Sequence, residues 1–160
     1  MKFAQLLLFL SVIFIDRFLK LQILQSTPDT QVNSGIAFSL FQGNNNLIIL
    51  LNLLVVGYVG YLLFKINKTQ DLTKIKRLKF IEIFSLVLIL AGGTSNIIDR
   101  INYGGVVDYI SVGSFPKFNL ADVAITSAIV IYVLIRILFD LKIFEKLAML
   151  KLKAHKTKAA

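Results

Sequence analysis

The residues best suited to chemistry in this sequence are two aspartates. Asp108 lies in a β-branched run between glycines, and Asp122 follows Phe118-Asn119-Leu120-Ala121. Two carboxylates held close cannot both ionise easily, so they share a proton over a wide pH range. One form then takes a proton from water while the other polarises a carbonyl, which is the logic of aspartic proteases. Each residue also has a plain structural reading. With Asn119 as a helix N-cap, Asp122 falls at N3, a good place for a carboxylate, and Asp108 reads equally as a solvated strand residue. Composition leaves both readings open.

Other groups join them. Asp16 and Lys20 lie toward one end of the first apolar run, Asn96, Asp99 and Arg100 close the third, and Asn119 opens the fourth. Ionisable residues at membrane depth are costly and are functional candidates by default. Asp99 and Arg100 are sequence neighbours and point apart on a helix, so each needs a partner elsewhere; Asp16 is the expected partner of Arg100. Asn33, Asn96 and Asn119 can either hydrogen-bond a peptide backbone or hold the carboxylates. Glu82, Arg136 and Asp140 sit at the other ends of their runs, where snorkelling and helix-end electrostatics suffice.

The rest of the composition closes other routes. The 160 residues include no cysteine, which excludes thiol chemistry and a disulfide framework. The single histidine, His155, lies in a lysine-rich tail. A hydrophobic fraction of 56% and a mean hydropathy of +0.75 exclude an ordinary water-soluble or disordered chain. The net charge of +9 is concentrated at 65–79 and in the tail 142–160. Between long apolar runs, such clusters mark the cytoplasmic side of a membrane rather than a nucleic-acid surface.

The elements that must position these residues follow from hydropathy. Four apolar runs, at about 3–24, 47–64, 80–98 and 121–141, approach the ~20 residues that span a bilayer. The first lacks a small-residue cleavage pattern and reads as a retained span. The basic loop and tail place both termini in the cytoplasm, with 25–46 and 99–120 outside. The run 106–112 reads as a short strand, and Ile36 to Phe41 is apolar enough to lie at the interface. The expectation is one all-α integral-membrane domain: four transmembrane helices, a small extracytoplasmic β element, an interfacial loop and a basic cytoplasmic tail.

Five stretches then resemble the lipoprotein signal peptidase (signal peptidase II) family of membrane aspartic proteases. Asp16-Arg17-Phe18-Leu19-Lys20 is similar to its Asp-x-x-x-Lys, and Asn33-Ser34-Gly35-Ile36-Ala37-Phe38-Ser39 to its Asn-x-Gly-x-Ala-Phe-Ser. Gly92-Gly93-Thr94-Ser95-Asn96-Ile97-Ile98-Asp99-Arg100 resembles its Gly-Gly-x-x-x-Asn-x-x-Asp-Arg. Val106-Val107-Asp108-Tyr109-Ile110 and Phe118-Asn119-Leu120-Ala121-Asp122 resemble its two aspartate motifs. Ser95 and Ile36 depart from it, standing where glycine and alanine are usual.

The resemblance implies that Asp108 and Asp122 form the catalytic dyad. Asn33, Asn96, Asp99, Arg100 and Asn119 would shape the site, and Asp16 and Lys20 would steady the first span. It implies cleavage of prolipoproteins before a diacylglyceryl-modified cysteine, in the bacterial cytoplasmic (inner) membrane with the site at its outer face. Its partners would be membrane lipids and globomycin-type inhibitors, with no nucleic acid, no metal and no cofactor. Phe38 and Phe41 would give the 36–41 stretch an apolar underside, either as a lid over the cleft or as an anchored plug. Two rivals remain. A small proton- or cation-coupled transporter calls for charges near the midplane, and a Ser114–Lys117 protease calls for a desolvated lysine, which a loop lysine beside Pro116 does not supply.

Overall fold

The computed structural model describes residues 1–26, 32–35, 44–68, 76–140 and 149. The 36–41 stretch with Phe38 and Phe41, and all of the 142–160 tail except Met149, lie outside the described residues. The elements are α1 (Phe3–Ser26), β1 (Val32–Asn33), α2 (Asn45–Lys68), α3 (Lys76–Tyr103), β2 (Val106–Val107) and α4 (Leu120–Asp140).

The four expected helices are present, and α2 and α3 run well past their apolar runs. Hydropathy marks only the stretch suited to hydrocarbon, whereas a helix continues into the polar interface because its backbone bonds stay local. Asp99 and Arg100 fall in such an extension, the last turns of α3, with Asn96 just inside the apolar run. Asn45–Lys68, Leu78–Tyr103 and Leu120–Ile137 are long and apolar enough to cross a membrane. Helix α1, at 24 residues, is as long as α2 but carries Asp16, Arg17 and Lys20 in its second half. Its crossing as the fourth span depends on neutralising these charges inside the protein.

Helix α3 is the centre of the bundle and packs on α1, α2 and α4. Its apolar window is 61% buried, against 17% for α2 and for α4. The core joins Val59 and Leu63 of α2 to Leu86, Val87, Ile89 and Leu90 of α3 and Ala128 of α4. The outward faces keep large apolar side chains exposed, among them Phe14, Leu54, Phe64 and Leu134. A continuous belt of that kind is a lipid-facing surface, not a water-facing one.

Two glycines set the approach of α4 and of the β element. A Cβ on Gly92 would lie 2.7 Å from the Ala121 carbonyl, so its absence lets the first turn of α4 close on α3. A Cβ on Gly105 would lie 2.6 Å from the Asn33 carbonyl. Before it, Gly104 adopts a φ of 73°, and its N–H bonds the Arg100 carbonyl at 3.1 Å, ending α3 in a left-handed cap. The strand expected over 106–112 covers only Val106–Val107. It pairs antiparallel with Val32–Asn33, and among the described residues the ladder has these two pairs. Beyond it, Ile110 bridges Phe118 and closes a loop between Asp108 and Asn119.

Candidate functional site

The N-terminus of α4 is held by a reciprocal cap. The Asp122 N–H donates to Asn119 Oδ1 at 2.9 Å, and the Asn119 N–H donates to Asp122 Oδ2 at 3.1 Å. The capping role read from the sequence is therefore real. It does not exhaust the carboxylate, because Asp122 Oδ1 accepts from Asn96 Nδ2 at 2.8 Å. Asp108 is held likewise: Oδ1 accepts from Asn119 Nδ2 at 2.8 Å and Oδ2 from Asn33 Nδ2 at 3.0 Å. All four carboxylate oxygens thus have an N–H donor.

The three asparagines cannot turn their amides round. Asn33 Oδ1 is taken by the Gly35 N–H at 3.0 Å, and Asn119 Oδ1 by the Asp122 N–H. Asn96 Oδ1 is taken by Lys20 Nζ at 3.1 Å and by Asn119 Nδ2 at 3.3 Å. With each oxygen occupied by a donor, each NH2 faces a carboxylate. In this structure the three amides contact the carboxylates.

Behind them lies a buried ion network. Lys20 Nζ sits 2.7 Å from Asp16 Oδ2 and 2.8 Å from Asp99 Oδ2, all three side chains having no exposure. Asp16 also accepts from Ser95 Oγ at 2.6 Å and from the Ala121 N–H at 3.0 Å. Asp99 accepts from the Val107 N–H at 3.2 Å and pairs with Arg17, whose guanidinium lies 5.8 Å from the centre of the Tyr103 ring. Buried charges persist only when their remaining lone pairs are satisfied, and here they are. The network ties α1 to α3, to the first turn of α4 and to the strand that precedes Asp108.

Asp16 is not the partner of Arg100, as the sequence suggested. Arg100 reaches the Gly35 carbonyl and, at 3.4 Å, Asn45 Oδ1, so it clamps the turn after β1 and the start of α2. Arg17 and Ser95 were missed by the sequence reading. Arg17 carried one signal, a further charge in an apolar helix; Ser95 carried another, its departure from the usual glycine. Glu82 and Arg136 pair at 3.3 Å toward the opposite end of the bundle. Ser114 and Lys117 are both exposed, so the lysine is not desolvated.

Asp108 and Asp122 open on one cavity of about 940 Å³, whose walls include Asn33, Asn96, Arg100, Phe118 and Ile125. Asp108 is 6% exposed. Burial pushes its carboxyl above the usual carboxylate range and the Asp122 charge adds to this, while the amides of Asn33 and Asn119 and the Lys20 charge oppose it. A proton on Asp108 is retained to a higher pH than on an ordinary aspartate. The arrangement offers two adjacent carboxylates, amide-held and water-accessible, at the mouth of an apolar cleft.

The sequence model of a family described as signal peptidase (SPase) II matches residues 8–139. A lipoprotein signal peptidase of Caldicellulosiruptor bescii is 35% identical over 99 residues, 62% of this chain and 59% of that one. One from Latilactobacillus sakei is 34% identical over 113 residues, 69% and 68% of the two chains. The match spans about three-fifths of the length of the first of these curated relatives. A solved bacterial membrane enzyme superposes with a TM-score of 0.70 at 23% identity, covering 86% of this chain and 88% of that one, a likeness of fold. With 8–139 covering most of its length, this multi-pass chain belongs to the signal peptidase II family.

Proposed function

We propose that this protein is an aspartic endopeptidase of the bacterial inner membrane that removes signal peptides from prolipoproteins by cleaving before a diacylglyceryl-modified cysteine. The observation that carries the reading is the carboxylate pair. Asp108 and Asp122 share one cavity, and their contacts are to neutral amides and a backbone N–H. One proton shared across the pair leaves one carboxylate to take a proton from water and one carboxyl to donate to the scissile carbonyl. As the tetrahedral intermediate collapses, one aspartate gives its proton to the leaving amine while the other takes a proton from a hydroxyl of the intermediate, so the C–N bond breaks, the carboxyl product forms and the pair returns to its single-proton state. Asp108 and Asp122 are the catalytic residues in this scheme. Asn33, Asn96 and Asn119 aim them, and Asp16, Lys20 and Asp99 hold the scaffold of α1, α3 and β2 beneath.

A lipid-bearing peptide enters sideways from the bilayer, which suits a cleft opening between α2, α3 and α4. The basic 65–79 loop and 142–160 tail support cytoplasmic termini and a site at the outer face. A transporter finds no support, since the buried aspartates gather at one end of the bundle. The test is incubation of purified protein with a lipidated prolipoprotein reporter. Cleavage immediately before the modified cysteine, blocked by globomycin, is expected. No cleavage by folded protein would overturn the reading.

A further inference from the structure

Below the dyad the cleft passes between α2, α3 and α4, and its walls become apolar except at three side chains, of which Ser127 is satisfied within its own helix by donating to the Val123 carbonyl at 2.6 Å. Asn52 of α2 and Thr126 of α4 both line the cavity. Neither has a hydrogen-bond partner among the described residues. Asn52 is half-buried and stands among Leu51, Leu53 and Leu54 in a helix otherwise suited to hydrocarbon. Leaving an amide unpaired there is costly, so the position calls for a ligand that supplies both a donor and an acceptor.

The depth of the two residues is set by the helices. The Asn45 amide bonds the Arg100 carbonyl at 3.0 Å, which fixes the level of α2 against α3. Asn52 and Gly93 each lie about 10 Å further along their helices from that contact. Thr126 lies about 6 Å beyond Asp122 on α4. All three therefore meet at one level, roughly a helical turn below the carboxylates. Gly93 keeps the wall between them low: a Cβ there would come within 2.8 Å of Val56 Cγ2.

A peptide about to be cleaved must be extended at the scissile bond. Its neighbouring N–H and C=O groups then lose their helical partners while still within the membrane, where unpaired backbone groups are expensive. An asparagine side chain is the complement of a peptide group, with one acceptor and two donors. At about 3.3 Å per extended residue, a depth of ~6 Å corresponds to about two residues. A signal sequence precedes its cleavage site, so the residues just before the scissile bond are those that lie deeper.

We propose that Asn52, assisted by Thr126 across the cleft, hydrogen-bonds the backbone of an extended substrate segment about two residues before the scissile bond. The inference rests on the peptidase reading above. Asn52 is thus a substrate-binding residue that selects for a peptide unwound at that position, and it touches neither carboxylate of the dyad.

The test uses full-length protein and the lipidated reporter, with thermal unfolding to establish that each variant is folded. Asn52→Leu is expected to raise KM about tenfold with little change in kcat, and Thr126→Val to raise it less. Esters are placed singly at the three peptide bonds before the scissile one, removing an N–H and weakening a carbonyl. One ester should slow the wild type severalfold and have no further effect on Asn52→Leu. If the wild type cleaves the reporter and both variants match it, or if every ester costs the same in wild type and Asn52→Leu, the inference is overturned while the peptidase reading stands. If folded wild type does not cleave at all, both fall.

Discussion

Asp16 and Asp99 meet cations, whereas Asp108 and Asp122, one amide further on, meet only amides and a backbone N–H among the described residues. The four carboxylates share one end of the bundle and one lysine neighbourhood, yet they are held in opposite ways. A carboxylate against Lys20 or Arg17 has its charge answered and serves as a strut. A carboxylate held by neutral donors is oriented without a counter-charge in contact, so the proton can still come and go. Asn96 is the boundary: its oxygen accepts from Lys20 and its NH2 reaches Asp122. The difference between strut and reagent lies in the partner, not in the residue type.

The most severe way to break this contrast is to neutralise the reagent pair. Asp108→Asn and Asp122→Asn are each expected to lower reporter cleavage by about a thousandfold or more while the protein stays folded, with a cooperative thermal unfolding transition. Near-normal turnover by either would remove the dyad from the mechanism. Lys20→Met attacks the struts instead. It leaves Asp16 and Asp99 buried with less compensation, and a destabilisation of about 3 kcal/mol or more is expected in thermal unfolding. A variant as stable as the wild type would show that the network does not hold the bundle.

Asn33→Ala sharpens the contrast through pH. The Asn33 amide favours the charged form of Asp108, opposing the upward push of burial. Without it the carboxyl is pushed higher still, so the shared proton is retained further and the alkaline limb of the pH–rate profile moves to higher pH. A limb that stays in place, or moves to lower pH, would contradict the assigned sign. The smallest effect is expected at the opposite end of the bundle. Glu82→Gln weakens a pair whose Arg136 side chain is 45% exposed, though Glu82 itself is buried, so a modest loss of stability and near-full cleavage are expected. A large loss of activity would move chemistry away from the dyad.

The sequence by itself determined the helices, because a span's hydropathy is a sum over consecutive residues that no neighbour can change. It also determined the cap of α4, since Asn119 and Asp122 meet within one turn. The five motifs single out Asp108 and Asp122 without reference to any contact. The partners were decided only by tertiary structure. Asp16 finds Ser95 and Ala121, Arg17 finds Asp99, and Asn33 finds Asp108, each across a long separation in sequence. Helical period says which residues share a face but not how that face is turned toward its neighbours. For α4 and the β element the approach depends on Gly92 and Gly105, where a missing Cβ lets backbones close. Turning α1 by one residue, about 100°, would exchange the facings of Asp16 and Arg17, and with them the distinction between the aspartates that brace this protein and those that can carry a proton.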